Sequence, residues 1–310
     1  MRFEIIGEDP GLEKLLLELE SSSSQGDIIT VRFEKTSFFF KNTIFHSDCF
    51  VVFDDEDKVA GTVSIGTKYF RKGEMLYKGA YIHLLRIRDD LRKKNIKEFS
   101  AVYIEAVRKF IREKFDFVYG YIKCDNKSAN LFAERRHYPV LQKLKMYMLP
   151  AIRPIDSREA GTGFPVEAVK PRGFRPDNGA FLDLGGIVFS EYDPSSHIKI
   201  KVDKYPAILE PASVLFFGRE PLKRFKIAGR RLSYKLVQIV ECPDKAAMKR
   251  FIAYEKSICY GNGVPLLAVI NRTGIPVFSP ISMEMNLRLK ILNPDLILTG
   301  EDFIHDVADF

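Results

Sequence analysis

The sequence predicts an α/β protein built on a mixed sheet and divided into two domains, and three observations carry that prediction. Between Gly79 and Lys123 the pattern runs strand, basic turn, helix, strand, the crossover that a parallel strand pair requires. Between Leu232 and Ile270 the same grammar returns more faintly, as pattern without sequence identity. In the middle, prolines and glycines crowd residues 150–179 and break any long regular element. The chain's 310 residues are also about twice the ~150 that one domain commonly takes. The expected partition is a first domain over residues 1–150, a linker over 151–179 and a second α/β domain over 180–310.

In order along the chain, Leu12 to Glu20 has leucines at helical spacing, and the serine run 21–24 after it reads as loop. Ile28 to Phe33 and Cys49 to Phe53 are β-branched and aromatic enough to be strands. Asp54 to Asp57 is an acidic turn, and Val59 to Tyr69 is the returning arm of a hairpin. A turn at Gly73 leads into an apolar strand, Gly79 to Ile87, interrupted by His83. Ile96, Phe99, Tyr103, Ala106, Val107 and Phe110 then recur every three or four residues, so Ile96 to about Lys114 is a helix with one buried face. Phe117 to Lys123 is the next strand, Asn126 and Ser128 offer caps for a short helix through Arg135, and Leu141 to Leu149 is a further strand. In the C-terminal part the spacing predicts strands at Leu182 to Phe189, Leu232 to Val240 and Val264 to Ile270, and a helix from about Asp244 to Ser257.

Composition narrows the function classes. With 46% hydrophobic and 29% charged residues the chain buries a core and is neither disordered nor fibrous. Its net charge of +7 suits anionic partners without choosing among them. Four cysteines lie far apart with no CxxC pair, and His197 and His305 have no partners at ligand spacing, so no metal site is expected. The start MRFEIIGEDPG has charges where a secretory signal needs an apolar core, and no run approaches the ~18 apolar residues of a membrane span. The expectation is a cytoplasmic protein with no membrane partner.

Chemistry concentrates in the turn between Ile87 and Ile96. A helix N-terminus carries unpaired backbone N–H groups and the positive end of the helix dipole, and Arg92, Lys93, Lys94 and Lys97 add charge there. A pyrophosphate fits that description.

Four features at this point resemble the GNAT superfamily of acyl-CoA-dependent N-acyltransferases. They are a strand ending in LLRI (Leu84 to Ile87); RKKNIK (Arg92 to Lys97) opening a long amphipathic helix, where the family has RxxGxG or QxxGxA; the strand YGYIKC (Tyr119 to Cys124); and DNKSANLFAERRHYP (Asp125 to Pro139). The resemblance covers roughly Ile28 to Leu149. It implies a GNAT-like mixed sheet whose two parallel strands, Ala80 to Ile87 and Phe117 to Lys123, splay into a cleft for acyl-CoA. Pantetheine would pair along Leu85, Arg86 and Ile87, pyrophosphate would sit on Arg92, Lys93, Lys94, Asn95, Ile96 and Lys97, and Asn126 would contribute from the next segment. The C-terminal domain would be a second α/β unit, with a degenerate copy of the same fold as one reading of it.

The chain departs from the family pattern at Asn95 and Lys97, where small residues are usual, and at Ala133, seven residues after Asn126, where many members carry the tyrosine that protonates the leaving thiolate. Tyr138 is the nearest replacement acid, and a core role is its alternative. His83 is the best-placed base, because an imidazole titrates near neutral pH; a structural histidine is the alternative there. Cys124 is expected as a buried thiol. Gly261, Asn262 and Gly263 read as a helix stop, and the basic run Leu222 to Arg231 as a solvated hairpin.

Three readings follow: an N-acetyltransferase-like protein moving an acetyl group from acetyl-CoA to a primary amine on a small molecule or protein; a weak or inactive CoA-binding regulator; and a nucleic-acid-binding protein, the least favoured.

Overall fold

The computed structural model describes residues 2–6, 9–21, 30–39, 45–88, 91, 97–151, 165–204, 231–279 and 281–310. In chain order the elements are β1 (Arg2–Ile6), α1 (Pro10–Ser21), β2 (Thr30–Lys35), β3 (Ser47–Phe53), β4 (Val59–Lys72), β5 (Met75–Ile87), α2 (Lys97–Lys114), β6 (Phe117–Lys123), α3 (Lys127–Arg135) and β7 (Val140–Pro150). They continue with β8 (Val166–Val169), β9 (Arg175–Pro176), β10 (Phe181–Leu184), β11 (Ile187–Tyr192), β12 (Ile198–Lys204), β13 (Arg231–Leu232), β14 (Tyr234–Glu241), α4 (Lys245–Gly261), β15 (Leu266–Asn271) and β16 (Ile281–Ile291), ending in a 3-10 turn at Val307–Asp309.

Two tight turns make β3, β4 and β5 an antiparallel meander. In the first, the Asp54 carboxylate accepts from the backbone N–H groups of Glu56 and Lys58; in the second, Gly73 adopts a left-handed φ of 59°, which costs glycine little. The chain then crosses over through α2 and returns as β6, parallel to β5. Tyr103, Val107 and Phe110 of the stripe predicted for α2, joined by Ile104 and Ile111, pack in one core with Phe50, Ile65, Ala80 and Val118, and each fully buried aliphatic of that size contributes about 1.5–3 kcal/mol.

One 13-stranded sheet runs in the order β1-β3-β4-β5-β6-β16-β7-β15-β14-β11-β10-β8, with β9 attached to β4; β13, β12 and β2 form a second, small sheet. The order exchanges strands at its centre. After β6, β7 moves away to pair with β15, from Pro150↔Leu266 to Met146↔Ile270. β16, which follows β15, returns to lie beside β6, from Met285↔Lys123 to Ile291↔Phe117, and pairs with β7 on its other edge. The unit β14-α4-β15 has the same parallel crossover as β5-α2-β6, its helix capped by the Asp244 carboxylate, which accepts from the Ala247 N–H at 2.7 Å. Gly263, at φ 70°, stops that helix as expected.

Two local expectations are corrected. The predicted strand from Leu182 to Phe189 is a hairpin of β10 and β11, because Gly185 and Gly186 take φ values of 62° and 86° and reverse the chain. Residues 165–179 do not run as bare connection: β8 adds to the sheet edge at β10, and β9 pairs with β4 at Phe70↔Pro176. Fully buried Phe174, beside β9, stacks on Phe70 with centroids 5.0 Å apart. Among the described residues, no helix is long and apolar enough to cross a membrane, and no group of three or more His, Cys, Asp or Glu is placed to hold a metal ion.

Candidate active site

β5 and β6 pair only where β6 begins and midway along β5, through Gly79↔Phe117, Ala80↔Val118 and Tyr81↔Tyr119. Both strands continue, to Ile87 and Lys123, without further partners on each other. The cause lies in β5. Its register with β4 runs Ser64↔His83 and then Thr62↔Arg86, so Leu84 and Leu85 face the single residue Val63. This is a β-bulge, which bends a strand away from its neighbour. Leu84 carries the strain as a left-handed φ of 53°, and its carbonyl accepts from the buried Thr62 hydroxyl at 3.1 Å. At the fork, a Cβ on Gly120 would lie 3.1 Å from the Ile82 carbonyl oxygen, so glycine permits the close approach. In the second unit, by contrast, β14 and β15 stay paired from Tyr234↔Leu266 to Ile239↔Asn271. The chain therefore has one open fork and one closed one among its described strands.

On the face of the fork away from α2 stand Tyr81, His83, Tyr119 and Tyr121. The His83 ring lies between Tyr81, stacked at 5.1 Å, and Phe45, edge-on at 5.8 Å. Its Nε2 is 3.0 Å from the Ser47 hydroxyl. Beneath the fork passes the segment Phe303–Phe310. The Tyr81 hydroxyl donates to the Asp309 carbonyl and the Tyr119 hydroxyl to the Asp309 carboxylate, the latter at 2.9 Å. Lys68 spans Asp309, at 3.0 Å, and Asp306. Burial tends to lower the Lys68 pKa, but the two carboxylates outweigh it and the net movement is upward. Burial, followed by the charge of Asp309, pushes Tyr81, Tyr119 and Tyr121 well above the usual phenol value, so all three stay protonated as donors. His305 bridges the Tyr121 hydroxyl (2.9 Å) and the Gln142 side chain (2.8 Å). Burial, aided by Arg272, drives its pKa well below the ordinary imidazole range.

Arg86 and Lys123 lie near enough for their charges to interact. Burial lowers the Lys123 pKa, and the nearby Arg86 guanidinium lowers it further while Asp125 opposes.

The structure brings together Leu85, Arg86, Ile87 and His83 on the bulged strand. Ile87 packs under α2, while Leu85 is exposed. Arg92, Lys93, Lys94, Asn95 and Ile96 lie outside the described residues, and Lys97 is the first residue of α2. Asn126 caps α3, its side chain accepting from Ala129 N–H at 3.1 Å. Tyr138 is not brought near His83. It packs against the core under α2, beneath the Lys290 ammonium, at the end of β6 opposite the fork. Ala133 is buried.

Sequence reasoning missed Lys123, Ser47 and Phe45, and the polar helix-to-sheet joint beside the cleft. There, the Asn130 side chain donates to the Lys123 and Asn126 carbonyls and accepts from Asn286 and Arg288. The one available signal was an asparagine inside an otherwise amphipathic helix, where it needs such partners.

By sequence the chain matches no protein-family model and no curated protein. By structure it is similar to Saccharomyces cerevisiae N-myristoyltransferase with bound myristoyl-CoA. One such structure has a TM-score of 0.55 at 10% identity, covering 93% of this chain and 78% of that one. Another has a TM-score of 0.51 at 10% identity, covering 93% and 82%. A probable N-acyltransferase from Enterococcus faecalis aligns with a TM-score of 0.46 at 10% identity, covering 94% and 72%. The chain has a GNAT-like fold, that of these N-myristoyltransferase structures, as its sequence motifs lead one to expect.

Proposed function

We propose that the protein is an N-acyltransferase that moves an acetyl group from acetyl-CoA to a primary amine at the fork between β5 and β6. The observation that carries this reading is the separation itself: after Tyr81↔Tyr119 no further ladder pairing joins the two strands among the described residues. A pantetheine amide pairs along such an edge beside Leu85 to Ile87, and the CoA phosphates meet Arg86, Lys123 and the turn from Arg92 to Lys97. The same reading makes residues 1–150 the acyl-CoA unit and residues 180–310 a closed copy that supports it.

In this scheme the acceptor enters on the face of His83, whose imidazole takes a proton from the incoming ammonium. The freed nitrogen attacks the thioester carbonyl carbon. The amides of Leu84 and Leu85, displaced from the β4 ladder by the bulge, donate to the oxyanion that forms. The C–S bond breaks, the nitrogen gives up its second proton to water as the amide product leaves, and the CoA thiolate takes a proton back from water, because buried Ala133 offers none. A placed acid commonly contributes ~10²–10⁴-fold, so turnover is slow.

The test is CoA thiol release from acetyl-CoA with an amine panel, alongside calorimetric CoA binding. His83→Ala should lower kcat at least tenfold and leave CoA affinity within twofold. Tight CoA binding without turnover on any amine would favour instead the CoA-binding regulator, the reading that Ala133 supports.

A further inference from the structure

At the end of β6 opposite the fork, the last turn of α3 meets α2 over β16. Leu287 and Leu289 of β16 turn into the core on the far face, so Asn286, Arg288 and Lys290 alternate toward the helices. Asn286 and Arg288 are buried and both donate to the Asn130 side chain of α3. Arg288 also holds the Glu134 carboxylate at 2.9 Å and the Tyr138 carbonyl at 3.0 Å. Lys290, next along the strand, is only partly buried. Its ammonium donates to the Arg136 carbonyl at 3.3 Å and lies 5.6 Å from the centre of the Tyr138 ring.

Four cations gather here around one phenol. Arg108 and Arg112, four residues apart and so on one flank of α2, act on both Lys290 and Tyr138, and Arg136 acts on Tyr138 as well. Burial, then Arg112 and Arg108, hold the Lys290 pKa below the usual lysine value, with no carboxylate opposing them. Burial raises the Tyr138 phenol, and the three guanidinium groups oppose that rise. Among the described residues, Arg112, Arg136 and Lys290 have no carboxylate partner, and the Tyr138 hydroxyl has no hydrogen-bond partner. Glu105 reaches Arg108 at 3.8 Å with 73% of its side chain exposed, a pairing that contributes little. Glu113 stands on the other flank of α2 and Lys109 on its solvent side, at ~100° per residue.

The junction is also remote from the fork. Arg112 lies 15 residues along α2 from Lys97, about 22 Å at ~1.5 Å per residue. Lys290 pairs with Val118, five residues short of Lys123, about 16 Å at ~3.3 Å per residue.

We propose that this junction is a second anion site, which takes the dianionic phosphate of a small ligand, free or as a monoester, on Arg108, Arg112, Arg136, Lys290 and the Tyr138 hydroxyl. A guanidinium fork matches two phosphate oxygens at once, an ammonium serves as a point charge, and the phenol donates one further bond. Charges that converge on a single partly buried ring suit a compact group; a polymer or a lipid surface would be met by charges spread along a face. The site stands independently of the acyltransferase reading, because none of its residues belongs to the fork.

The experiment titrates the full chain calorimetrically with inorganic phosphate, phenyl phosphate and, as a singly charged control, nitrate. It is run at low salt and about pH 8, where phosphate is a dianion, with and without CoA. Phosphate should bind saturably and at least tenfold more tightly than nitrate, the size of a charge-assisted hydrogen bond. Phenyl phosphate binding tenfold more tightly again would identify an esterified ligand, and equal affinity the free ion. Arg112→Gln combined with Lys290→Gln should weaken phosphate at least tenfold, whereas Lys109→Gln, which removes the same kind of charge from the solvent side, should change it less than twofold. Tyr138→Phe keeps the packed ring and should weaken binding about threefold or more, which preserves the test if the double variant fails to fold. Equal losses in Lys109→Gln and in the double variant would reduce the effect to overall charge and overturn the site. So would phosphate binding that CoA abolishes, which would move the ion to the fork. Absence of saturable phosphate binding overturns it too, and if a DNA duplex or anionic vesicles bind instead, the patch is an extended surface.

Discussion

Replacing Lys68 with methionine keeps the length of the side chain and removes its charge. In the native protein the Lys68 side chain is 6% exposed and that of Asp309 is fully buried, with 3.0 Å between ammonium and carboxylate. Taking away the lysine of such a pair removes the cation beside a buried carboxylate, a loss of about 3–5 kcal/mol. Asp306, partly exposed, can rehydrate and adds little to that figure. With a urea m-value of ~3 kcal/mol per molar, Lys68→Met should lower the unfolding midpoint by about 1–1.7 M. The chain has no tryptophan, so the transition is followed by far-UV circular dichroism. The deficit should shrink as pH falls from 7 to 5, because a buried carboxylate deprived of its cation takes up a proton and sheds the penalty. Lys68→Met combined with Asp309→Asn should recover much of the loss, since removing both partners is far milder than removing one. A midpoint within 0.3 M of the native protein (~1 kcal/mol at that m-value), or a deficit that grows toward acid, would refute the argument.

Three further outcomes follow from the geometry. Arg86→Gln together with Lys123→Gln, and separately charge reversal at Lys93 with Lys94, should weaken calorimetric CoA binding, more at low salt than at high because screening removes the long-range part. His305 has its folded pKa below its unfolded value near ~6.5. The unfolded state then binds more protons in acid, and stability should fall below about pH 6.5 by at most ~1.4 kcal/mol per pH unit; equilibrium unfolding of His305→Gln should lack that component. Residues 1–150 expressed alone should give no cooperative thermal transition, because β6 and β7 lose β16 between them, and co-expression with residues 165–310 should restore one.

Much of the first half was legible because its signals are local. The stripe of α2, the apolar runs of β5 and β6 and the motif LLRI depend on neighbours three or four positions away, and they led directly to the fork and to His83. The turn at Gly185 and Gly186 was equally local and was overlooked; paired glycines between two short apolar runs mark a hairpin. The strand exchange was not legible. An alternating strand such as Val140 to Pro150 has the same side-chain pattern whether its neighbour is β6 or β16, and only the completed sheet decides. Lys68 was hidden for a related reason: a lysine in a strand reads as solvent-facing until carboxylates from Phe303–Phe310, far away in the chain, arrive to cover it. Lys123 lies within the motif YGYIKC, yet its nearness to Arg86 depends on how the bulge at Leu84 bends the strand, which no residue type in LLRI announces.

The exchange of β7 and β16 also sets a schedule. About 160 residues separate Lys123 from Ile281, and at ~5–20 residues per second a ribosome needs roughly 8–30 s to make them, whereas a hairpin closes in ~1–10 μs. For that interval the nascent first half holds a completed β5-α2-β6 crossover whose outer strand edge has no partner. An open edge beside Tyr119 and Phe117 is a template for the wrong strand, including β6 of another nascent chain. The protein's yield in a cell should therefore respond to translation speed and to chaperones that shield strand edges more than its final stability would suggest. Slowing synthesis downstream of β6 should lower the soluble fraction, and supplying the β16 segment early, on a separate message, should raise it.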